Sequence, residues 1–329
     1  MFTDFNRLEL QTVPAPRPAH PDDVLVRVHA ASVCGSDLHG YTGKTGRRKP
    51  PLIMGHEAAG EVAAVGEAVT RVRPGDRVRL PPLIYRPDPA TGRVVRQMIG
   101  MNLPGAYAEY TVVPETNVYP IPDSLPYTTA ALTEPTAVAL HAVGLARIRP
   151  YDRVLVIGAG TIGLLTMQVL RLAGAREVAV SDLSDARLAI ARQMGASAVI
   201  NPSTQDFAAG VADLTDGQGF DMTFEAVGVS ATVGQSVAAV RDGGTVVWIG
   251  NSQRIVEVDM QAIVTRELQV LGSYGMNERD FARALAMLSD GRVDVAALIT
   301  RRAALDEGPS LFDELLRDEA VVKCVIEIP

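Results

Sequence analysis

The chain has 329 residues, 47% of them hydrophobic and 21% charged, which is the make-up of an ordinary globular protein and too long for one compact core. A formal charge of −7 gives no global attraction to phosphate backbones or anionic lipid, so neither nucleic acid nor a membrane surface is an expected partner. The N-terminus MFTDFNRLEL shows no basic stretch followed by an apolar one, and no apolar run nears the roughly 20 residues of a membrane span, so a cytoplasmic location is expected.

Up to about Pro122 the chain reads as short strands broken by turn residues: DDVLVRVHA (22–30), GEVAAVG (60–66), DRVRL (76–80) and AYAEYTVV (106–113). Pro74-Gly75-Asp76 marks a turn between two of them, and the whole predicts an all-β, barrel-like domain. From about Ala130 the rhythm changes. Apolar runs such as RVLVI (153–157), EVAVSD (177–182), AVINP (198–202), FDMTFEAVG (220–228), GTVVWIG (244–250) and LQVLGSYG (268–275) follow one another. Helical stretches such as TIGLLTMQVLRLAGA (161–175) and ARLAIARQMGA (186–196) lie between them, which predicts a parallel sheet covered on both faces. The tail holds two helices, DFARALAMLSDG and SLFDELLRD, and a last strand, AVVKCVIEI. That strand cannot join a parallel sheet without another crossover, so it is expected to return to the β domain. The expected limits are 1–138 and 276–329 for the β domain, with 139–275 inserted as the nucleotide domain.

The strand RVLVI runs directly into GAGTIG, with Gly158, Gly160 and Gly163 in G-x-G-x-x-G spacing and Asp182 closing the next strand. Gly158 permits a tight turn, Gly160 lets the backbone approach a pyrophosphate, and Gly163 lets helix and strand pack closely. Thr161 and Ile162 belong to the same turn and Arg187 lies a little beyond Asp182. A carboxylate at Asp182 can accept both ribose hydroxyls of NAD and would repel the 2′-phosphate of NADP, so NAD is the expected cofactor.

Three further segments carry metal-binding residue types. CGSDLH supplies Cys34, Ser36, Asp37 and His39; GHE supplies His56 and Glu57; TEPTAVALHA supplies Glu134. Thiolate, imidazole and carboxylate form a mixed set suited to zinc, and three protein ligands with one open position make a catalytic rather than a structural site. His29 and His141 read as structural, His20 as exposed, and Cys324 as a buried strand cysteine with little prospect of a disulfide. The clusters Arg47-Arg48-Lys49 and Arg301-Arg302 read as solvated faces.

Taken together, VLVRVHAASVCGSDLHGYTG, GHEAAGEVAAVGEAVTRVRPGDRV, TEPTAVALHA, VLVIGAGTIG and VVKCVIEIP make the chain resemble the zinc-dependent medium-chain dehydrogenase/reductase family, above all its polyol (sorbitol-type) and threonine dehydrogenase branches. The resemblance implies a GroES-like β-barrel catalytic domain with an inserted Rossmann domain, a doubly wound parallel sheet. It implies Cys34 and His56 as catalytic-zinc ligands, with Glu57 a direct ligand in the polyol branch and Glu134 able to bind directly or through water. Asp37 would orient His56, while Ser36 and His39 would pass the substrate proton toward solvent. Val227, Gly228, Ile249, Gly250 and Ser273 would contact the nicotinamide half. The family's four structural-zinc cysteines have no counterpart in LPPLIYRPDPATGRVVRQMIGMNLPG, so one catalytic zinc and no structural zinc are expected.

The expected reaction is NAD-dependent oxidation of a secondary alcohol, a polyol or sugar alcohol first and L-threonine or another amino alcohol second. Two other readings compete: a non-catalytic NAD-binding relative, and a zinc-free reductase of enones or quinones. The resemblance also implies a homodimer or homotetramer, with an exposed sheet edge near TVVWIG as the contact.

Overall fold

The computed structural model describes residues 1–44, 46–88 and 90–329, and divides into two compact units, 1–134 with 285–329, and 135–284. The divisions fall inside the Thr133–Leu145 and Glu278–Ser289 helices. No helix among the described residues is long and apolar enough to cross a membrane.

The first unit is built on a seven-stranded sheet centred on the Asp23–Val33 strand. Glu57–Val65 and Tyr110–Pro114 pair with it antiparallel, and Arg77–Leu80 and Tyr119–Pro120 continue outward from Glu57–Val65. On the other side lies the C-terminal strand Lys323–Glu327, antiparallel to Asp23–Val33 and parallel to Ile299–Ala304. The tail therefore returns to the β unit, as its sequence requires. Val24, Val26, Val62 and Val78 gather into one apolar cluster; Val28, Tyr41, Met54, Phe312 and Ile326 form another. A single strand thus contributes to two separate cores, Val24 and Val26 to the first and Val28 to the second, with register irregularities between Leu25 and Val26 and between Val28 and Ala30.

One expected strand starts late. AYAEYTVV alternates from residue 106, yet pairing begins only at Tyr110. The backbone N–H groups of Gly105, Ala106 and Tyr107 donate instead to the carbonyls of Ile53, Gly55 and Met54, so this stretch braces the loop that carries His56. In the stretch that has no cysteines, Leu83–Pro87 pairs with Val94–Met98 as an antiparallel hairpin. Asp88 closes its turn by accepting from the backbone of Ala90 and Thr91 and from the Thr91 hydroxyl.

The second unit is a six-stranded parallel sheet in the order Ala198–Ile200, Glu177–Ser181, Arg153–Ile157, Phe220–Glu225, Val240–Trp248, Gln269–Gly272. Numbered along the chain this is 3-2-1-4-5-6, the Rossmann arrangement, with its switch point beside Arg153–Ile157. Every residue from Gly163 to Leu170 of the Thr161–Leu172 helix is buried, and Thr166 turns its hydroxyl onto the Ile162 carbonyl to be so. The edge expected near TVVWIG is not an edge. Val240–Trp248 is paired on both sides, and Gln269–Gly272 is the outer strand.

Among the described residues, four that are not glycine take a positive φ, Asn6, Tyr151, Asp216 and Glu267, and Tyr151 has the largest. Tyr151, just before the Arg153–Ile157 strand, is 79% exposed and has φ of +81°. A side chain in the left-handed region costs about 1–2 kcal/mol, and glycine there would lose about 0.5–1 kcal/mol of that advantage through its freer unfolded chain. A Tyr151→Gly chain is expected to melt about 1–2 °C higher; a lower calorimetric midpoint would contradict the strain.

Candidate functional site

In the first unit, the turn from Asp23–Val33 into the Gly35–Tyr41 helix places Cys34 at the helix N-cap. Its sulfur accepts from the Ser36 N–H at 3.5 Å, and Asp37 reaches back to the Cys34 N–H at 3.1 Å, closing a capping box. Gly55 precedes His56 with φ of +94°, and a Cβ there would lie 2.6 Å from the Tyr107 ring. Only glycine satisfies both conditions. Glu57 then opens the Glu57–Val65 strand, directly opposite Ser32 in the ladder.

The donor atoms of Cys34, His56 and Glu57 lie within 4.8 Å of one another, the group among the described residues that could hold a metal ion. Glu57 is fully buried. One of its oxygens, Oε2, accepts from the Ser32 hydroxyl and from Lys323 Nζ at 2.5 Å, while Oε1 is buried without a hydrogen-bond partner. An unanswered carboxylate oxygen beside a thiol and an imidazole is what a divalent cation of intermediate softness fits, and zinc in particular. Glu134 is not part of that group. It is half-exposed as a residue, yet burial of its carboxyl and the charge of Glu57 raise its pKa against the pull of His56, Arg79 and Lys323.

Asp37 is the centre of the surrounding network. Its Oδ1 lies 3.2 Å from His56 Nδ1 and 2.7 Å from Arg48 Nη2, and its Oδ2 accepts from the Tyr107 hydroxyl at 2.8 Å. Burial would raise the Asp37 pKa; the charges of His56 and Arg48 and the Tyr107 hydrogen bond hold it far below the usual carboxylate range. Burial would likewise strip the proton from His56, but Asp37 and Cys34 raise its pKa well above the ordinary value. A metal must then displace a proton there. Ser36 and His39 are three apart on the helix and so lie on one face. Burial lowers the pKa of His39, as do the charges of Lys44 and Arg48, which favours a neutral ring able to take up a proton.

Several of these partners were not legible in the sequence. Arg48, in a basic triplet that suggests a solvated face, is 1% exposed; Ser32, Arg79, Tyr107 and Lys323 carry no signal beyond their place in ordinary strands and turns. The structural readings elsewhere fare differently. His29 stacks on Tyr127 at 4.7 Å, His141 pairs with Asp280 at 2.7 Å, His20 is exposed, and both cysteines are free.

In the second unit, Gly158 has φ of +102°, and a Cβ on Gly163 would lie 1.7 Å from the Gly158 carbonyl oxygen. A Cβ on Gly160 would meet nothing within 4 Å, and Gly160 caps the Thr161–Leu172 helix with no side-chain acceptor. An open helix N-terminus of this kind fits a pyrophosphate. Asp182 ties the turn down, accepting from the N–H groups of Ala159 at 2.7 Å and Ser184 at 2.9 Å. Arg187 is half-buried on the following helix.

At the ends of the later strands, Val227, Gly228, Ile249 and Gly250 are drawn together by one residue the sequence did not single out, Glu225. Its carboxylate accepts from the N–H groups of Val227 and Gly228, and its carbonyl from those of Ile249 and Gly250. Ser181 Oγ, Glu225 Oε2 and Ser273 Oγ are buried without hydrogen-bond partners, each at or just beyond the C-terminal end of its strand, where open α/β sheets take ligands.

Comparison with known proteins agrees with both halves. The alcohol dehydrogenase GroES-like domain family matches residues 20–123, and the zinc-binding dehydrogenase family matches residues 161–290. Sorbitol dehydrogenase of Bacillus subtilis is 32% identical, over 94% of this chain and 91% of the relative. L-threonine 3-dehydrogenase of Anaeromyxobacter dehalogenans is 34% identical, over 88% of this chain and 87% of its own. The crystal structure of a zinc-binding dehydrogenase from Sinorhizobium meliloti bound to NADP superimposes with a TM-score of 0.91 at 33% identity, covering 99% of this chain and 97% of that one.

Two measurements follow from this geometry. A Gly163→Ala chain is expected to lose dinucleotide binding in a fluorescence titration, because its Cβ collides with backbone; wild-type affinity would contradict the turn. Burial pushes the Cys324 thiol up to about 11, whereas Cys34 is half-buried. In the metal-free protein, a thiol reagent in mildly alkaline solution should modify one cysteine in the folded state and the second only on unfolding.

Proposed function

The chain belongs to the zinc-dependent medium-chain dehydrogenase family, and from that premise we propose that it oxidises a secondary alcohol of a polyol or sugar alcohol to the ketone, with NAD as hydride acceptor. The observation that carries the reading is the trio Cys34, His56 and Glu57 with the Glu57 Oε1 oxygen left for a cation. These three residues would hold one catalytic zinc, and Glu134 would stand by as an alternative carboxylate. Zinc supplies Lewis acidity toward the substrate oxygen, and the nicotinamide supplies the hydride acceptor.

The remaining work falls to the chain's own side chains. Asp37 accepts the Nδ1 hydrogen of His56 and so leaves Nε2 free as the ligand nitrogen. Ser36 receives the substrate proton and His39, neutral and on the same helix face, carries it toward solvent. No further zinc is proposed, since the 80–105 stretch has no cysteine to bind one.

Asp182 supports NAD rather than NADP, since its carboxylate lies against the turn where the adenosine ribose would come and would repel a 2′-phosphate. Val227, Gly228, Ile249, Gly250 and Ser273 would frame the nicotinamide, with Thr161, Ile162 and Arg187 on the phosphate and ribose side. A homodimer or homotetramer in the cytoplasm completes the proposal. The likeness to L-threonine 3-dehydrogenase supports an amino alcohol as the second substrate class.

A panel of polyols, sugars and amino alcohols, each with NAD and with NADP, tests the reading by absorbance of the reduced nucleotide. Polyols with NAD are expected to react fastest. Preference for threonine would move the substrate to the second class, and preference for NADP would overturn the role of Asp182. Elemental analysis is expected to give about one zinc per chain, and Cys34→Ala and His56→Ala chains to hold none and reduce no nucleotide above background. Full activity in either variant would remove the metal from the mechanism.

A further inference from the structure

One member of the basic triplet Arg47-Arg48-Lys49 is not a surface charge. Arg48 is buried, and its guanidinium reaches three separate segments. Nη1 donates to the Ser36 carbonyl at 2.6 Å, Nη2 lies 2.7 Å from Asp37 Oδ1 and 3.3 Å from Ser36 Oγ, and Nε donates to the Gly100 carbonyl at 2.8 Å. Nη2 also comes within 3.4 Å of His56 Nδ1. With that ring nitrogen giving its hydrogen to Asp37, both groups are donors, so Arg48 acts on the ring through the carboxylate.

The helix makes room for this side chain. A Cβ on Gly40, inside Gly35–Tyr41, would lie 2.6 Å from Arg48 Cδ and 3.2 Å from Nη1. Glycine weakens a helix, and here its missing side chain is where the arginine stem passes. A planar fork of fixed donors suits four acceptors at set angles; a lysine could satisfy one or two.

We infer that Arg48 is the positioning residue of the proposed metal centre: it fixes Asp37, and through it the His56 ring, in one orientation while holding the Ser36 hydroxyl in place. The inference rests on the reading of Cys34, His56 and Glu57 as metal ligands. It adds that the Ser36 hydroxyl and the ligand histidine share one anchor, and that the anchor is tied to the Gly100 carbonyl beyond the 83–98 hairpin.

The test uses the full chain as wild type, Arg48→Lys, Arg48→Met and Gly40→Ala, the last displacing the stem without removing any polar atom of the arginine. Each is loaded with zinc and followed by the rate at which a chelator strips the metal, by the melting midpoint of the metal-free form, and by kcat and KM separately. Arg48→Lys is expected to release zinc about 10–100-fold faster than wild type and to lose a similar factor in kcat, with KM for the nucleotide unchanged. A merely structural arginine would lower the metal-free melting midpoint and leave zinc release per folded molecule untouched; that result overturns the inference.

Should neither Arg48 variant fold, Gly40→Ala decides on the same readout. Faster zinc release supports the anchor, and wild-type release sinks it. A wild-type chain that takes up no zinc removes the metal reading and this inference together. Wild-type zinc binding with unaltered variants removes this inference alone.

Discussion

A charge taken out of water must be answered by another charge or by hydrogen bonds, and around Cys34 and His56 that requirement governs almost every side chain. Asp37 and Glu57 are fully buried, and so are the cations Arg48, Arg79 and Lys323 to within a few per cent. Asp37 is answered by Arg48, His56 and Tyr107; Glu57 is answered on one oxygen by Lys323 and Ser32. Asp37 Oδ1 has no hydrogen-bond partner but is met by the Arg48 charge at 2.7 Å, whereas Glu57 Oε1 has none, and the Glu57 carboxylate lies within 4.8 Å of the Cys34 sulfur and the His56 ring nitrogen. The charged residues behind the ligands are therefore constrained as well, because removing Arg48 or Lys323 takes from a buried carboxylate its buried cation.

The strands obey the same requirement. Ser32, Glu57 and Lys323 come from three adjacent strands, Asp23–Val33, Glu57–Val65 and Lys323–Glu327, and the last of these is more than 260 residues from Glu57 along the chain. The return of the C-terminal strand is thus more than a closing of the sheet, since it delivers the ammonium group that neutralises Glu57. In the nucleotide-binding unit a single carboxylate does comparable work. Glu225, at the end of a central strand, gathers the backbone of two loops whose glycines leave no room for side chains between them.

What the sequence revealed and what it hid separate along a physical line. The Rossmann half was readable because its signals are local: a strand, a glycine turn, a helix and a carboxylate follow in fixed order. Cys34, His56 and Glu57 were readable because thiol, imidazole and carboxylate are few and chemically distinctive. Arg48 was hidden because burial of an arginine depends on four acceptors and one glycine scattered from Ser36 to Gly100, none of which marks the arginine itself. The late start of the Tyr110–Pro114 strand was hidden for a similar reason, since alternation cannot show that residues 105–107 are already bonded to the loop bearing His56.

The hairpin Leu83–Pro87 with Val94–Met98 has a consequence for how such a protein lives in a cell. Its shape is kept by backbone pairing and by the Asp88 turn, with no cysteine anywhere in the segment. A hairpin maintained in this way makes no demand on the supply of scarce metal and offers no thiol to an oxidant. Loss of the proposed zinc would then empty the site around Cys34, Cys324 staying buried in its strand, and leave a folded chain to be refilled.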